Sequence, residues 1–296
     1  MAHRCEFTQS HSSQKYKDAM QTLHLTSGQT IPVLGLGTWQ IGEAVNQRQN
    51  EVAALRCGLD LGFSLIDTAE MYGEGGAEQV IAEAIAGRRS EAFLVSKVYP
   101  HNASRRGAIA ACDRSLRRLK TDYLDLYLLH WRGSIPLAET LEAFQTLQDA
   151  GKIRSYGVSN FDLDDMQEAD ALAGGEAIVT NQVLYNLMRR GIEWDLLPWC
   201  RQKQIPIMAY SPIEQGHLLR HQTLQTMATQ RQVTPAQIAI AWLLHQQNVI
   251  VIPKSSQIEH IKQNRAALDL QLSPTDLAAL DAAFPPPTQS SRLEML

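Results

Sequence analysis

The chain is 296 residues long, with 44% hydrophobic and 20% charged residues and a formal net charge of −4. That balance is ordinary for a globular protein. It excludes the basic stripe of a nucleic-acid binder and the polybasic patch of a membrane-surface protein, and no run reaches the ~18 apolar residues of a membrane span.

Residues 1–21 are polar and lack the apolar centre of a signal peptide, so a flexible leader is expected there. Next, Ser27, Gly28 and Gln29 interrupt segment 23–32 as a hairpin turn, placed to plug the bottom of a barrel. Eight short apolar runs then recur, at 33–36, 64–66, 93–96, 124–129, 153–159, 177–180, 205–209 and 249–252. They do not alternate strictly, which fits strands buried on both faces. Helical stripes fill the gaps. Val52, Leu55 and Leu59 form one, Ile109, Cys112, Leu116 and Leu119 a second, and Leu137, Leu141, Phe144 and Leu147 a third. Thr234 with Pro235, and Ser273 with Pro274, read as helix starts, and Gly87 and Gly151 as helix stops. The tail 284–296 holds three prolines and is expected to be irregular.

Eight strand–helix repeats in a chain of this size predict an α/β fold of the (β/α)8 TIM-barrel type. It would form one domain over 22–296, with an N-terminal β-hairpin and a short C-terminal tail. An open doubly wound sheet is the alternative. Cys5, Cys57, Cys112 and Cys200 are widely spaced and form no CxxC pair. This argues against a disulfide framework or zinc cluster and for a reducing cytoplasm.

In such barrels the reacting groups gather at the C-terminal ends of the strands. The second run ends at Asp67, the third at Lys97 and the fourth at His130, and Tyr72 lies in the loop after Asp67. A carbonyl reduction needs a proton donor beside the oxygen that becomes negative. A free phenol, with a pKa of about 10, is a weak acid near neutrality. A lysine cation beside it favours the phenolate and lowers that value, an aspartate holds the lysine in place, and a histidine orients the carbonyl oxygen. The reading is therefore Tyr72 as acid, Lys97 and Asp67 as its tuners, and His130 as orienter. Each alone has an ordinary role, as a capping aspartate, a solvated lysine, a packed tyrosine or a core histidine. Placement on three consecutive strand ends argues for chemistry.

The later strand ends carry a different set. The fifth run closes on Ser159 and Asn160, the sixth is followed by Asn181 and Gln182, and the seventh by Tyr210, Ser211 and Pro212. The eighth leads into Lys254, Ser255 and Ser256. Amides and hydroxyls suit a carboxamide, an aromatic face suits a flat ring, and Lys and Ser before a helix suit phosphate. The same residue types also simply turn chains. GxGxxG, HExxH and GxSxG are absent, which argues against a Rossmann site, a zinc protease and an α/β-hydrolase.

The segments IDTAEMYG, LLHW, KIRSYGVSNF, NQVLYN, AYSPI and VIPKSS, in this order, resemble the aldo-keto reductase superfamily over about residues 22–283. The likeness is greatest to its small bacterial methylglyoxal-reductase-like members. The resemblance implies NADPH bound in extended form, a small carbonyl substrate, and the tetrad Asp67, Tyr72, Lys97 and His130. It implies that Ser159, Asn160 and Gln182 hold the carboxamide, that Tyr210 stacks on the nicotinamide, and that Thr38, Trp39 and Asp67 also border the cofactor. Ser211, Pro212, Ile213 and Gln215 would run along the pyrophosphate, Lys254 and Ser255 would meet the 2′-phosphate, and Gln263 and Asn264 the adenine. Trp39 and Trp131, with Tyr72 and His130, would wall the substrate pocket.

One position departs from the pattern. Where many members carry an arginine for the 2′-phosphate, this chain has His260. NADPH is still expected, with NADH as a weaker alternative and a narrower preference than usual. The short segment 98–102 and the brief tail lead us to expect an open pocket that accepts small aldehydes and α-dicarbonyls. No metal, nucleic acid or membrane partner is expected, and a monomer is. Two rival readings are a Schiff-base aldolase using Lys97 and a cofactor-binding barrel with little turnover.

Overall fold

The structure, a computed structural model, describes residues 20–296. Residues 1–19 of the expected leader, Cys5 among them, lie outside the described residues. Strands β1 (Thr22–His24) and β2 (Thr30–Pro32) pair antiparallel with Leu23 opposite Ile31. Their turn closes through Leu25 N donating to Gln29 O at 2.8 Å, with Gly28 at φ +83. That left-handed backbone is one glycine adopts without steric cost. Leu25 and Ile31 bury among the barrel-interior side chains Leu65, Val95, Leu126 and Ile250, so the hairpin plugs one end of the barrel as predicted.

Eight parallel strands come next: β3 (Leu36–Gly37), β4 (Leu65–Asp67), β5 (Phe93–Val98), β6 (Leu124–Leu129), β7 (Ile153–Ser159), β8 (Ile178–Leu184), β9 (Ile207–Tyr210) and β10 (Val249–Val251). Each pairs with its successor in chain order. The two ends of the sheet also meet. Gly35 N donates to Val251 O at 2.9 Å, Val251 N to Val33 O at 2.8 Å, and Gly37 N to Pro253 O at 2.9 Å. The sheet is therefore a closed barrel without bare edges, and the doubly wound alternative falls away.

Parallel neighbours need crossovers, and helices supply them. These are α1 (Arg48–Asp60), α2 (Gly76–Ala84), α3 (Arg105–Leu119), α4 (Leu137–Asp149), α5 (Leu163–Asp170), α6 (Leu196–Gln202), α7 (Gln222–Arg231), α8 (Pro235–His245), α9 (Ile258–Ala266) and α10 (Pro274–Ala283). The predicted stripes face inward: Leu55 and Leu59 on α1, Cys112 and Leu119 on α3, and Leu141, Phe144 and Leu147 on α4 are buried. Thr234 and Ser273 cap α8 and α10 through reciprocal bonds with Gln237 and Asp276, each preceding a proline at the first helical position.

One boundary differs from the sequence reading. Asn181 and Gln182 do not come after the sixth strand but lie inside it, paired to Ile207 and Met208 on one side and to Val158 and Ser159 on the other. Their polarity ends the apolar run without ending the strand, because each amide finds a buried partner. Asn181 Nδ2 donates to Phe161 O at 2.8 Å, and Gln182 Nε2 to Asp67 Oδ1 at 2.7 Å.

Candidate active site

The C-terminal strand ends surround a cavity of about 640 Å³. Asp67 closes β4, and Lys97 lies one residue before the end of β5. Lys97 is 0% exposed. Its ammonium donates to Asp67 Oδ2 at 2.8 Å, to Thr68 O at 2.8 Å and to the Tyr72 hydroxyl at 3.4 Å. An ammonium has three donors, and all three are used. Burial of such a cation is tolerable because Asp67 neutralises it at contact distance. Burial still lowers the Lys97 pKa, with the charges of Asp67 and Glu78 opposing that shift.

Tyr72 begins a 3-10 turn, Tyr72–Gly75, on the loop between β4 and α2. The loop sits where it does because two backbones touch. Gly42, at φ +78, lies against Gly76 so closely that a Cβ on Gly42 would fall 2.3 Å from the Gly76 carbonyl carbon. The hydroxyl of Tyr72 accepts from Lys97 and so keeps its own hydrogen for the cavity. The sequence predicts that Lys97 lowers the pKa of this hydroxyl; the structure gives the opposite. Burial raises it well above 10, and the negative charge of Asp67 adds to the rise. Tyr72 is consequently a neutral phenol near pH 7, with a hydrogen it can donate.

His130 directly succeeds β6. Its ring lies 5.8 Å from that of Tyr72, edge-on, and 4.9 Å from Trp131. Burial first, then the Lys97 cation, push its pKa down to about 2, so the imidazole is neutral. Its Nδ1 is buried with no hydrogen-bond partner. A proton there would be an unsatisfied buried donor, so the favoured tautomer carries it on Nε2.

The other wall is prebuilt from polar groups that bond one another. Asn160 Nδ2 donates to His130 O at 3.1 Å, and the Tyr210 hydroxyl donates to Asn160 Oδ1 at 2.9 Å. Ser159 Oγ donates to Gln182 O at 2.8 Å, and Thr38 Oγ1 to Asp67 O at 2.8 Å. Asn160 and Ser211 hold left-handed backbone, at φ +57 and +52. Burial raises the Tyr210 hydroxyl to about 12. Ser211, Pro212, Ile213 and Gln215 line one flank of the cavity, with Lys254 beside β3 across the barrel seam.

The profile of the aldo/keto reductase family matches residues 33–284. The chain belongs to that family. It is 53% identical over 272 residues to the methylglyoxal reductase YeaE of Escherichia coli (strain K12), covering 90% of this chain and 96% of the relative. It is 34% identical over 262 residues to a glyoxal reductase of Bacillus subtilis (strain 168), covering 88% and 92%. Among solved structures, an aldo/keto reductase from Klebsiella pneumoniae in complex with NADP and acetate superposes with a TM-score of 0.91 at 52% identity. That match spans 94% of this chain and 100% of the other.

Most of the expected site residues meet in one place. Tyr72, His130, Trp39 and Trp131 line the cavity, as do Thr38, Asp67 and the amides and hydroxyls of the second half. Lys97 stands behind Asp67 and Tyr72, outside the lining. Ser255, His260, Gln263 and Asn264 lie beyond the lining, on and before α9. Ser255 Oγ is engaged locally, accepting from Gln257 N at 3.0 Å. The sequence reading misses Met295 and Leu296. The irregular tail folds back so that both border the cavity, tied by Glu294 to Arg189. The expected open pocket is thus narrower on that side. No local sequence signal marks this, since the tail's anchor is a distant loop arginine.

Proposed function

We propose that this chain reduces small aldehydes and α-dicarbonyls to alcohols with NADPH, Tyr72 giving the proton to the carbonyl oxygen. One observation carries the reading: Lys97 donates to the Tyr72 hydroxyl at 3.4 Å, leaving that hydroxyl's hydrogen free to point into the cavity. His130, neutral and protonated at Nε2, supplies a second donor to the same oxygen. Two preorganised donors around one point stabilise charge as it develops there. When Tyr72 gives up its proton, the Lys97 ammonium already touches the oxygen that becomes a phenolate. Asp67 keeps that ammonium charged and in place.

The cofactor's residues fit their group. Ser159, Asn160 and Gln182 line the cavity with amide and hydroxyl groups, Tyr210 adds an aromatic ring, and Ser211, Pro212, Ile213, Gln215 and Lys254 line it as well. NADPH would lie there, its carboxamide on Ser159, Asn160 and Gln182 and its ring on Tyr210. When bound it supplies the hydride. Lys254, Ser255 and His260 would meet the 2′-phosphate, and Gln263 and Asn264 the adenine. Trp39 and Trp131 would wall the substrate, with Met295 and Leu296 limiting its bulk. Names of relatives point the same way, toward methylglyoxal and glyoxal as substrates.

The aldolase reading loses its support, because Lys97 is fully buried and all its donors are occupied. A monomer in the cytoplasm completes the proposal. This chain's own tail finishes the cavity wall, and the buried thiols Cys112 and Cys200 are raised to about 12, as suits reduced, inert cysteines.

The test tracks loss of reduced-nicotinamide absorbance with methylglyoxal and with aromatic aldehydes, for wild type and Tyr72→Phe. Oxidation of NADPH that disappears in Tyr72→Phe, with cofactor binding retained, supports the reading. Binding without turnover of any carbonyl would revive the cofactor-binding barrel instead.

A further inference from the structure

Two carboxylates on the Tyr72 loop and the helix turn after it make contacts that the reaction does not use. Glu70 precedes Tyr72. Its Oε1 accepts from Tyr99 N at 2.9 Å and Asn102 Nδ2 at 3.0 Å, and its Oε2 from Arg114 Nη2 at 3.2 Å. Glu78 comes after Tyr72, in the first turn of α2. It accepts from Ser96 Oγ at 2.7 Å and from Arg118 Nε at 2.6 Å.

The pattern is paired. Ser96 and Tyr99 bracket Lys97 along β5 and its exit. Arg114 and Arg118 stand one turn apart on α3, so they share a face. Each arginine therefore backs one carboxylate, and each carboxylate ties the Tyr72 side of the site to the Lys97 side. Glu78 is 0% exposed and Glu70 9%. Burying two carboxylates is costly unless their oxygens are bonded, and here both oxygens of each are. Between them the loop backbone is held by Glu70 N donating to Lys97 O at 3.3 Å and by two turn bonds, Tyr72 N to Ala69 O and Glu74 N to Met71 O, both at 3.1 Å. None of these bonds fixes the Tyr72 side chain, and Gly73 and Glu74 run through left-handed backbone at φ +56 and +52. The contact it must keep, Lys97 to Tyr72, is long at 3.4 Å and sensitive to any slip.

We infer that Glu70 with Arg114, and Glu78 with Arg118, form a double clamp that sets the separation of the Tyr72 hydroxyl and the Lys97 ammonium. The four are positioning residues for proton transfer. The inference rests on the reading of Tyr72 as the proton donor. The two halves of the clamp differ in one respect. The titratable groups around Lys97 are Asp67, Tyr72, His130 and Glu78. The charge of Glu78 favours protonated Lys97, whereas Glu70 bonds the backbone beyond it, at Tyr99 N, and Asn102. Loss of the Glu78 charge lets Lys97 lose its proton at lower pH.

The test uses NADPH-saturated enzyme with methylglyoxal, and compares wild type, Glu70→Gln, Glu78→Gln and Tyr72→Phe. Glutamine keeps an acceptor for Tyr99 or Ser96 but gives up the charge-assisted bond to arginine. Both glutamine variants should lose kcat by about tenfold, the scale on which small misplacements act, with the Kd for NADPH held within about twofold. Glu78→Gln should also move the basic limb of the kcat profile to lower pH, and by more than Glu70→Gln does. If either fails to fold, Arg114→Lys and Arg118→Lys replace them, because those side chains are partly exposed, 40% and 21%. Full kcat in folded variants, with Tyr72→Phe inactive, overturns the clamp and leaves the donor reading standing. A fall in kcat matched by an equal loss of NADPH affinity also overturns it, as a general disruption. An active Tyr72→Phe overturns the donor reading beneath it.

Discussion

Asp67→Asn is the most informative stability variant. Asp67 accepts from Lys97 on Oδ2 and from Gln182 on Oδ1, at 2.8 and 2.7 Å. Asparagine has one acceptor where aspartate has two. If its oxygen faces Lys97, its amide meets the Gln182 amide, which must turn its own oxygen inward to accept; if it turns, Lys97 loses its acceptor. In either orientation a cation that is 0% exposed loses its counter-ion. Breaking one partner of a buried pair costs about 3–5 kcal/mol. For a chain of this length that corresponds to a fall in Tm of about 6–10 °C. Thermal unfolding at pH 7 and pH 9, with and without NADPH, measures it. The pH dependence has a definite sign. Burial already lowers Lys97, and without Asp67 it falls further. Between the two folded-state values the variant has shed a proton that wild type keeps, so the variant gains stability relative to wild type as pH rises. A deficit under about 1 kcal/mol at pH 7, or one that grows toward pH 9, would refute the reasoning.

Lys97→Met should retain NADPH binding and lose most turnover; an unchanged kcat would show that Tyr72 is held and stabilised by something else. His260→Arg should raise the ratio of NADPH to NADH affinity by about tenfold, the value of one charge-assisted phosphate contact of about 1.4 kcal/mol; a ratio that does not move takes His260 away from the phosphate. The imidazole of His130 stays neutral down to about pH 2 in the folded chain, whereas an unfolded histidine protonates near pH 6.5. Stability therefore drains away as pH falls below about 6.5, and His130→Asn should flatten that slope in acid unfolding. Removing residues 295–296 should improve kcat/KM for bulky aldehydes relative to methylglyoxal; equal ratios would show that the tail does not gate size.

The fold is legible in the sequence because its signals are local and repeated. Most barrel strands are short apolar runs buried on both faces, and the caps of α8 and α10 are a Thr and a Ser before proline. Asp67, Lys97 and His130 are legible by position, as polar residues ending such runs. What the residues do not disclose depends on distant partners. Asn181 and Gln182 read as a strand's end because nothing nearby says that Phe161 O and Asp67 await their amides. The pKa of Tyr72 is misjudged from sequence because a lysine at a neighbouring strand end is visible there, while the burial that raises the hydroxyl is not. Glu70, Glu78, Arg114 and Arg118 look like ordinary helix and loop charges until α3 brings the two arginines against the loop.

The closed seam of the barrel has a consequence for how the chain is made. Its bonds join 33–37 to 251–253, so the first strand waits for the last before its edge is covered. Until β10 emerges, β3 and β9 both present open edges, and such edges recruit other chains. Closing a loop this long comes late and slowly. Nascent chains stalled before residue 249 should consequently be the aggregation-prone species, and the cell's burden in producing this enzyme falls on that final stretch of synthesis.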